Sequence, residues 1–143
     1  MCLMLYIAAA SPIGKVGFER LSLRALDETE EDVRQWFSLP HVMFVGVEGG
    51  CSCGFPYVRA DTAVPYSEGM FEDDEDREDE IAVARELISL IRECFSSGER
   101  VELYPVWYDS VSNPPKGTIS LVASELDAPT FFFNEQFFYE VTR

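Results

Sequence analysis

His41-Val42-Met43-Phe44-Val45-Gly46-Val47 runs directly into Glu48-Gly49-Gly50-Cys51-Ser52-Cys53-Gly54-Phe55. The first half shows no polar alternation after His41, so it reads as a strand buried on both faces. Glu48-Gly49-Gly50 ends that pattern and opens a loop carrying two cysteines with one residue between them. Leu3 to Ala9 (Leu-Met-Leu-Tyr-Ile-Ala-Ala) repeats the continuous apolar pattern and is closed by Ser11-Pro12 and Gly14. Two such strands predict a sheet covered on both sides.

Between them, residues 16–23 show no clean period, with Phe18, Leu21 and Leu23 scattered among polar neighbours. A helix is predicted to follow, with Asp27 as its cap and Glu30 three residues on, in capping-box register. Its apolar stripe is Val33, Trp36 and Phe37, and Pro40 ends it. A helical crossover joining the two buried strands predicts that they run parallel. In that arrangement Cys2 and Cys51 fall at opposite ends of the sheet.

Beyond the cysteines, residues 59–78 read as a long exposed acidic loop. The clearest helix in the chain is predicted over about residues 79–95. Ile81, Ala84, Leu87, Ile88, Ile91, Cys94 and Phe95 make its apolar stripe, and Gly98 is placed to stop it. Its acidic approach also favours the positive end of the helix dipole. Arg100 to Trp107 and Thr118 to Ser124 read as strands joined in a long hairpin by the polar segment 109–116. The tail from Phe131 to Val141 is dense in aromatics and reads as a short turn and a last strand. Of its rings, Phe132 and Phe138 are the ones to watch: strand neighbours point opposite ways, so one of each adjacent pair is expected outside. The fold class is α+β, or mixed α/β: one domain over residues 1–143, with one sheet of about five strands and two main helices.

The chain has 143 residues and a formal charge of −15. The run Glu72-Asp73-Asp74-Glu75-Asp76-Arg77-Glu78-Asp79-Glu80 holds eight acids and one base, and about half of the negative charge lies outside it. No basic stripe offers itself to phosphates, so nucleic-acid and anionic-membrane partners are excluded as expectations. A basic protein partner fits this charge, with Glu72, Asp73, Asp74, Glu75, Asp76 and Glu78 as the candidate surface. The apolar N-terminus lacks the basic residues of an export signal and is too short to span a bilayer. The expected setting is cytoplasmic, with Cys2, Cys51, Cys53 and Cys94 as thiols.

Cys51 and Cys53 are the candidate thiol or metal ligands, because a thiolate in a glycine-flanked loop is open to soft metals and electrophiles. Their spacing is shorter than that of most structural zinc pairs or of a redox Cys-x-x-Cys. Possible additions are scattered: His41 at the far end of its strand, Cys94 on the helix core stripe, and Cys2 at the start of the first strand. The acidic run lacks the glycine of a calcium-binding EF-hand loop. With one histidine and neither a nucleophile elbow nor a phosphate-cradling glycine loop, no catalytic residue is assigned. No cofactor is implied. The aromatic tail and Trp107-Tyr108 are candidates for a groove or a contact between copies of the chain.

The opening Met1-Cys2-Leu3-Met4-Leu5-Tyr6-Ile7-Ala8 and the block Cys51-Ser52-Cys53-Gly54-Phe55 resemble a family of small uncharacterised bacterial proteins. The resemblance covers two short stretches. It implies a bacterial, cytoplasmic, single-domain setting and lends no functional residues. Taken together, the expectation is a non-enzymatic acidic domain, inhibitor-like or immunity-like, that meets a basic partner. A thiol or metal centre at Cys51 and Cys53 is the alternative.

Overall fold

In the computed structural model, seven successive residues of β1 (Leu3–Ala9) are all buried, because the strand lies inside a sheet covered on both faces. The structure describes residues 2–14, 17–48, 50–55, 57–58, 74–95, 98, 100–131 and 133–143. The further strands are β2 (Leu21–Ala25), β3 (His41–Val47), β4 (Tyr57–Val58), β5 (Arg100–Trp107), β6 (Gly117–Val122), β7 (Phe133–Asn134) and β8 (Phe137–Thr142). Six of them form a mixed sheet in the order β2-β3-β1-β5-β8-β6, one more than expected. Only its β6–β8 pair is parallel. A separate parallel pair joins β4 and β7. This is an α+β fold.

Side-chain alternation along β1 assigns the two layers. Leu5, Ile7 and Ala9 pack into a core with the helix α1 (Asp74–Cys94), including Ala84, Leu87 and Ile91. Met4, Tyr6 and Ala8 pack on the other side with Val33, Phe44, Tyr104 and Phe138. That second face is covered by a six-residue 3-10 helix, Glu31–Trp36, and its flanks. Among the described residues no helix is long and apolar enough to cross a membrane.

Several expectations change. Residues 21–25 form a strand, β2, rather than an unassigned stretch. Leu21 and Leu23 turn to the α1 side, while Ser22 and Arg24 line an opening on the other face. The first helix is a 3-10 helix and not an α-helix. Glu30 does reach back to the Asp27 N–H, at 3.2 Å, as a capping-box glutamate would. Its carboxylate is also held by Tyr6 and Arg24, which draws this turn down onto the sheet.

The second helix starts five residues early, at Asp74, so that part of the expected loop is helical. Carboxylates suit the first turns of a helix, where unpaired N–H groups carry positive potential. The remainder of that loop, 59–73, lies outside the described residues.

The expected β5–β6 hairpin is absent, because β8 lies between those strands. β8 is apolar on both faces, with Phe138 on one and Tyr139 and Val141 on the other. It therefore suits an interior position. β6 exposes Thr118 and Ser120, which suits an edge. Phe138 is accordingly buried while its neighbour Phe137 is half-buried, and Phe132 lies outside the described residues.

Candidate metal centre

β1 and β3 pair antiparallel, with Leu5 opposite Val45 and Ala9 opposite His41. The start of β1 therefore adjoins the end of β3, and Cys2 meets the loop that carries Cys51 and Cys53. The three Sγ atoms all lie within 4.8 Å of one another. This reverses the expected placement of Cys2 and Cys51 at opposite sheet ends. The cause is β2: the chain leaves β1, forms β2 at the sheet edge, and then returns antiparallel as β3. The 3-10 helix belongs to that return, so it does not make β1 and β3 parallel.

The loop is fixed by the strands it leaves. Glu48 takes a positive φ of 53°, and its N–H donates to the Arg20 carbonyl at 2.7 Å. The Gly50 N–H then donates back to Val47 O, and the Val47 N–H to Cys51 O. This lays the loop across the end of β3. A Cβ at Gly46 would lie 2.3 Å from the Gly50 carbonyl oxygen, so only glycine permits the crossing.

Ser52 then enters the sheet where β1 and β3 diverge. Its N–H donates to Leu3 O at 2.9 Å. Its hydroxyl donates to Val45 O at 2.6 Å and accepts the Leu5 N–H at 2.7 Å. With Ser52 buried, the residues on either side of it turn the other way, which explains why one intervening residue brings two thiols together. Phe55 anchors the far end of the loop, fully buried and edge-on to Phe133. Cys2 is tied by its carbonyl, which accepts the Tyr108 N–H at 3.0 Å.

The thiols are electrostatically unequal. Burial alone would raise Cys51, but hydrogen bonds from the Cys53 thiol and backbone, and from the Cys2 thiol, hold it below the ordinary thiol range. Burial pushes Cys53 up to about 11, and its bond to Cys51 adds to that rise. The Leu3 N–H, donating to Cys53 Sγ at 3.3 Å, works in the opposite direction. Cys94, in the α1 core, is raised to about 11 by burial and by Glu93. Alkylation follows the thiolate. In reduced, metal-free protein at neutral pH, Cys51 is expected to label before Cys53, and Cys94 last. Peptide mass mapping over time checks the order, and equal rates at Cys51 and Cys53 would contradict it.

Cys2 and Cys51 line an open cavity of about 700 Å³. Met4 and Phe44 contribute apolar wall, and Ser22, Arg24, Tyr108 and Asp109 complete it. The Arg24 guanidinium lies 4.1 Å from the Phe44 ring centroid and is paired with the buried Glu30 carboxylate. Tyr108, expected as a groove or contact residue, is the exposed large aromatic here.

Of the residues singled out in the sequence, the fold unites Cys51 and Cys53 and adds Cys2. His41 sits beside Ala9, at the opposite end of β1 from Cys2. Asp74, Glu75, Asp76 and Glu78 lie on the first turns of α1, while Glu72 and Asp73 fall outside the described residues. Sequence reasoning missed Ser52 and the Arg24–Glu30 pair. The alternation Leu21-Ser22-Leu23-Arg24-Ala25 was the available signal for the strand that carries Arg24. Comparison with protein-family models, curated proteins and solved structures finds no match for this chain.

Proposed function

We propose that the protein binds a soft, thiophilic metal ion, zinc or copper(I), through Cys2, Cys51 and Cys53. The observation that carries this reading is the convergence of three Sγ atoms within 4.8 Å. Tetrahedral zinc with Zn–S bonds of about 2.3 Å sets its sulfurs roughly 3.8 Å apart. Closing the cluster onto an ion thus takes a contraction of at most about 1 Å on that geometry. An all-sulfur set selects zinc or copper(I) over magnesium and calcium, which prefer oxygen. The three sulfurs already lie close together, and binding an ion there would release the thiol protons.

The test is a cobalt(II) titration of reduced, metal-free full-length protein, followed by zinc competition. One equivalent with thiolate-to-cobalt charge-transfer absorption is expected. Cys51→Ser is expected to weaken binding by roughly 100-fold or more, since even losing a residue that only supports a ligand costs 10–100-fold. Sub-stoichiometric uptake, or a Cys51→Ser variant that binds as well as the parent, would overturn the reading.

A second reading rests on the −15 charge: a basic protein partner met through the acidic run. Glu78 and Asp79 are exposed at the start of α1, although Asp79 also lies 3.7 Å from Arg20. Capture of a basic partner that is lost as salt rises from low to moderate supports it. Salt-indifferent capture counts against it.

A further inference from the structure

Three thiolates leave a tetrahedral ion one position short. Cys2 and Cys51 both line the 700 Å³ cavity, so an ion held by their sulfurs borders it. Cys53 is held from the sheet side by the Leu3 N–H, and Ser52 fills the sheet between the strands. The cavity is a side from which a fourth ligand can approach.

Resting on the metal-binding reading, we propose that this fourth position takes an exogenous small molecule. Its class is an uncharged heteroaromatic nitrogen donor carried on an apolar body. The cavity walls specify both properties. Met4, Phe44 and Tyr108 offer apolar and aromatic contact to the body. An anionic donor is disfavoured: a divalent ion with three thiolates already carries net negative charge, and Asp109 adds more at the wall. Arg24 does not reverse this, because its guanidinium is paired with Glu30. A neutral nitrogen donor completes zinc or cobalt without adding to the net negative charge of the site.

The experiment uses cobalt-loaded full-length protein, with imidazole, 4-phenylimidazole and benzoate as probes. 4-Phenylimidazole is expected to shift the cobalt d–d bands and to bind at least about tenfold tighter than imidazole, through burial of its phenyl ring. Benzoate is expected to leave the bands unchanged. Ser22→Phe places a ring at the cavity wall from β2, at a residue outside the sulfur cluster. It is expected to weaken 4-phenylimidazole at least about tenfold by steric exclusion, with cobalt affinity within twofold of the parent. Equal affinity for imidazole and 4-phenylimidazole, or a Ser22→Phe variant that binds the probe like the parent, overturns the fourth-ligand inference alone. Failure of the protein to take up cobalt overturns the metal-binding reading and this inference with it.

Discussion

Replacing Glu30 by alanine is expected to destabilise the protein by about 3 kcal/mol, read as a fall in the urea midpoint at constant slope. Glu30 has no exposed surface and yet carries a carboxylate. Three groups compensate it: the Tyr6 hydroxyl, the Arg24 guanidinium, and the Asp27 N–H. Burial and the Glu30 carboxylate together hold the Tyr6 phenol far above its ordinary range, so Tyr6 remains a neutral donor. Truncation to alanine leaves that hydroxyl buried without its acceptor and opens a gap where the side chain was buried. Removing one partner of a buried pair costs about 3–5 kcal/mol. The lower end applies because the Arg24 side chain is 43% exposed and regains water when released. Tyr6→Phe, which removes one donor and leaves Arg24 in place, is expected to cost less, about 1–2 kcal/mol. A Glu30→Ala variant within about 1 kcal/mol of the parent would show that the carboxylate's desolvation cancels its bonds.

That network also shows where sequence reading gave out. The spacing of Asp27 and Glu30 marked a local contact, the bond from the Asp27 N–H to Glu30, but not the helix start: the cap is Glu30 and not Asp27, and the helix begins at Glu31. Nothing local placed Tyr6 or Arg24 beside Glu30, since those contacts depend on how β1 and β2 are laid in the sheet. The same holds for the site. β1, β3 and α1 were legible because each is long and its burial leaves a continuous or 3.6-residue apolar pattern. β2 is a five-residue edge strand whose two leucines were lost among polar neighbours.

Missing one strand reverses the direction of the next, and direction decides which chain ends meet. The cysteine types and the loop were therefore readable at Cys51 and Cys53, while the third thiol, Cys2, was sent to the wrong end of the sheet. β8 failed for a related reason. Its place between β5 and β6 satisfies two-sided burial of Phe138, Tyr139 and Val141, a global demand that the nearest-neighbour hairpin rule does not register.

Ser52 is where stability and the candidate site depend on the same atom. Ser52→Ala is expected to cost about 2–4 kcal/mol, because two buried backbone groups lose their partner at once. The Val45 carbonyl loses its donor and the Leu5 N–H its acceptor, at a point in the sheet closed to water. The backbone bond from Ser52 N–H to Leu3 O survives the substitution but no longer has the hydroxyl bridge beside it.

That bridge holds the loop against β1 while Cys51 and Cys53 turn outward toward Cys2. Loosening it is expected to weaken cobalt binding by 10–100-fold, as for other groups that only orient ligands. Ser52→Thr keeps the hydroxyl and separates the two effects. If its extra methyl destabilises the fold while cobalt affinity stays within a few-fold of the parent, the hydroxyl, and not stability as such, sets the spacing of the sulfurs. If Ser52→Ala lowers stability but leaves cobalt affinity unchanged, the crossing of Gly50 over Gly46 fixes the thiols by itself, and Ser52 serves only the sheet.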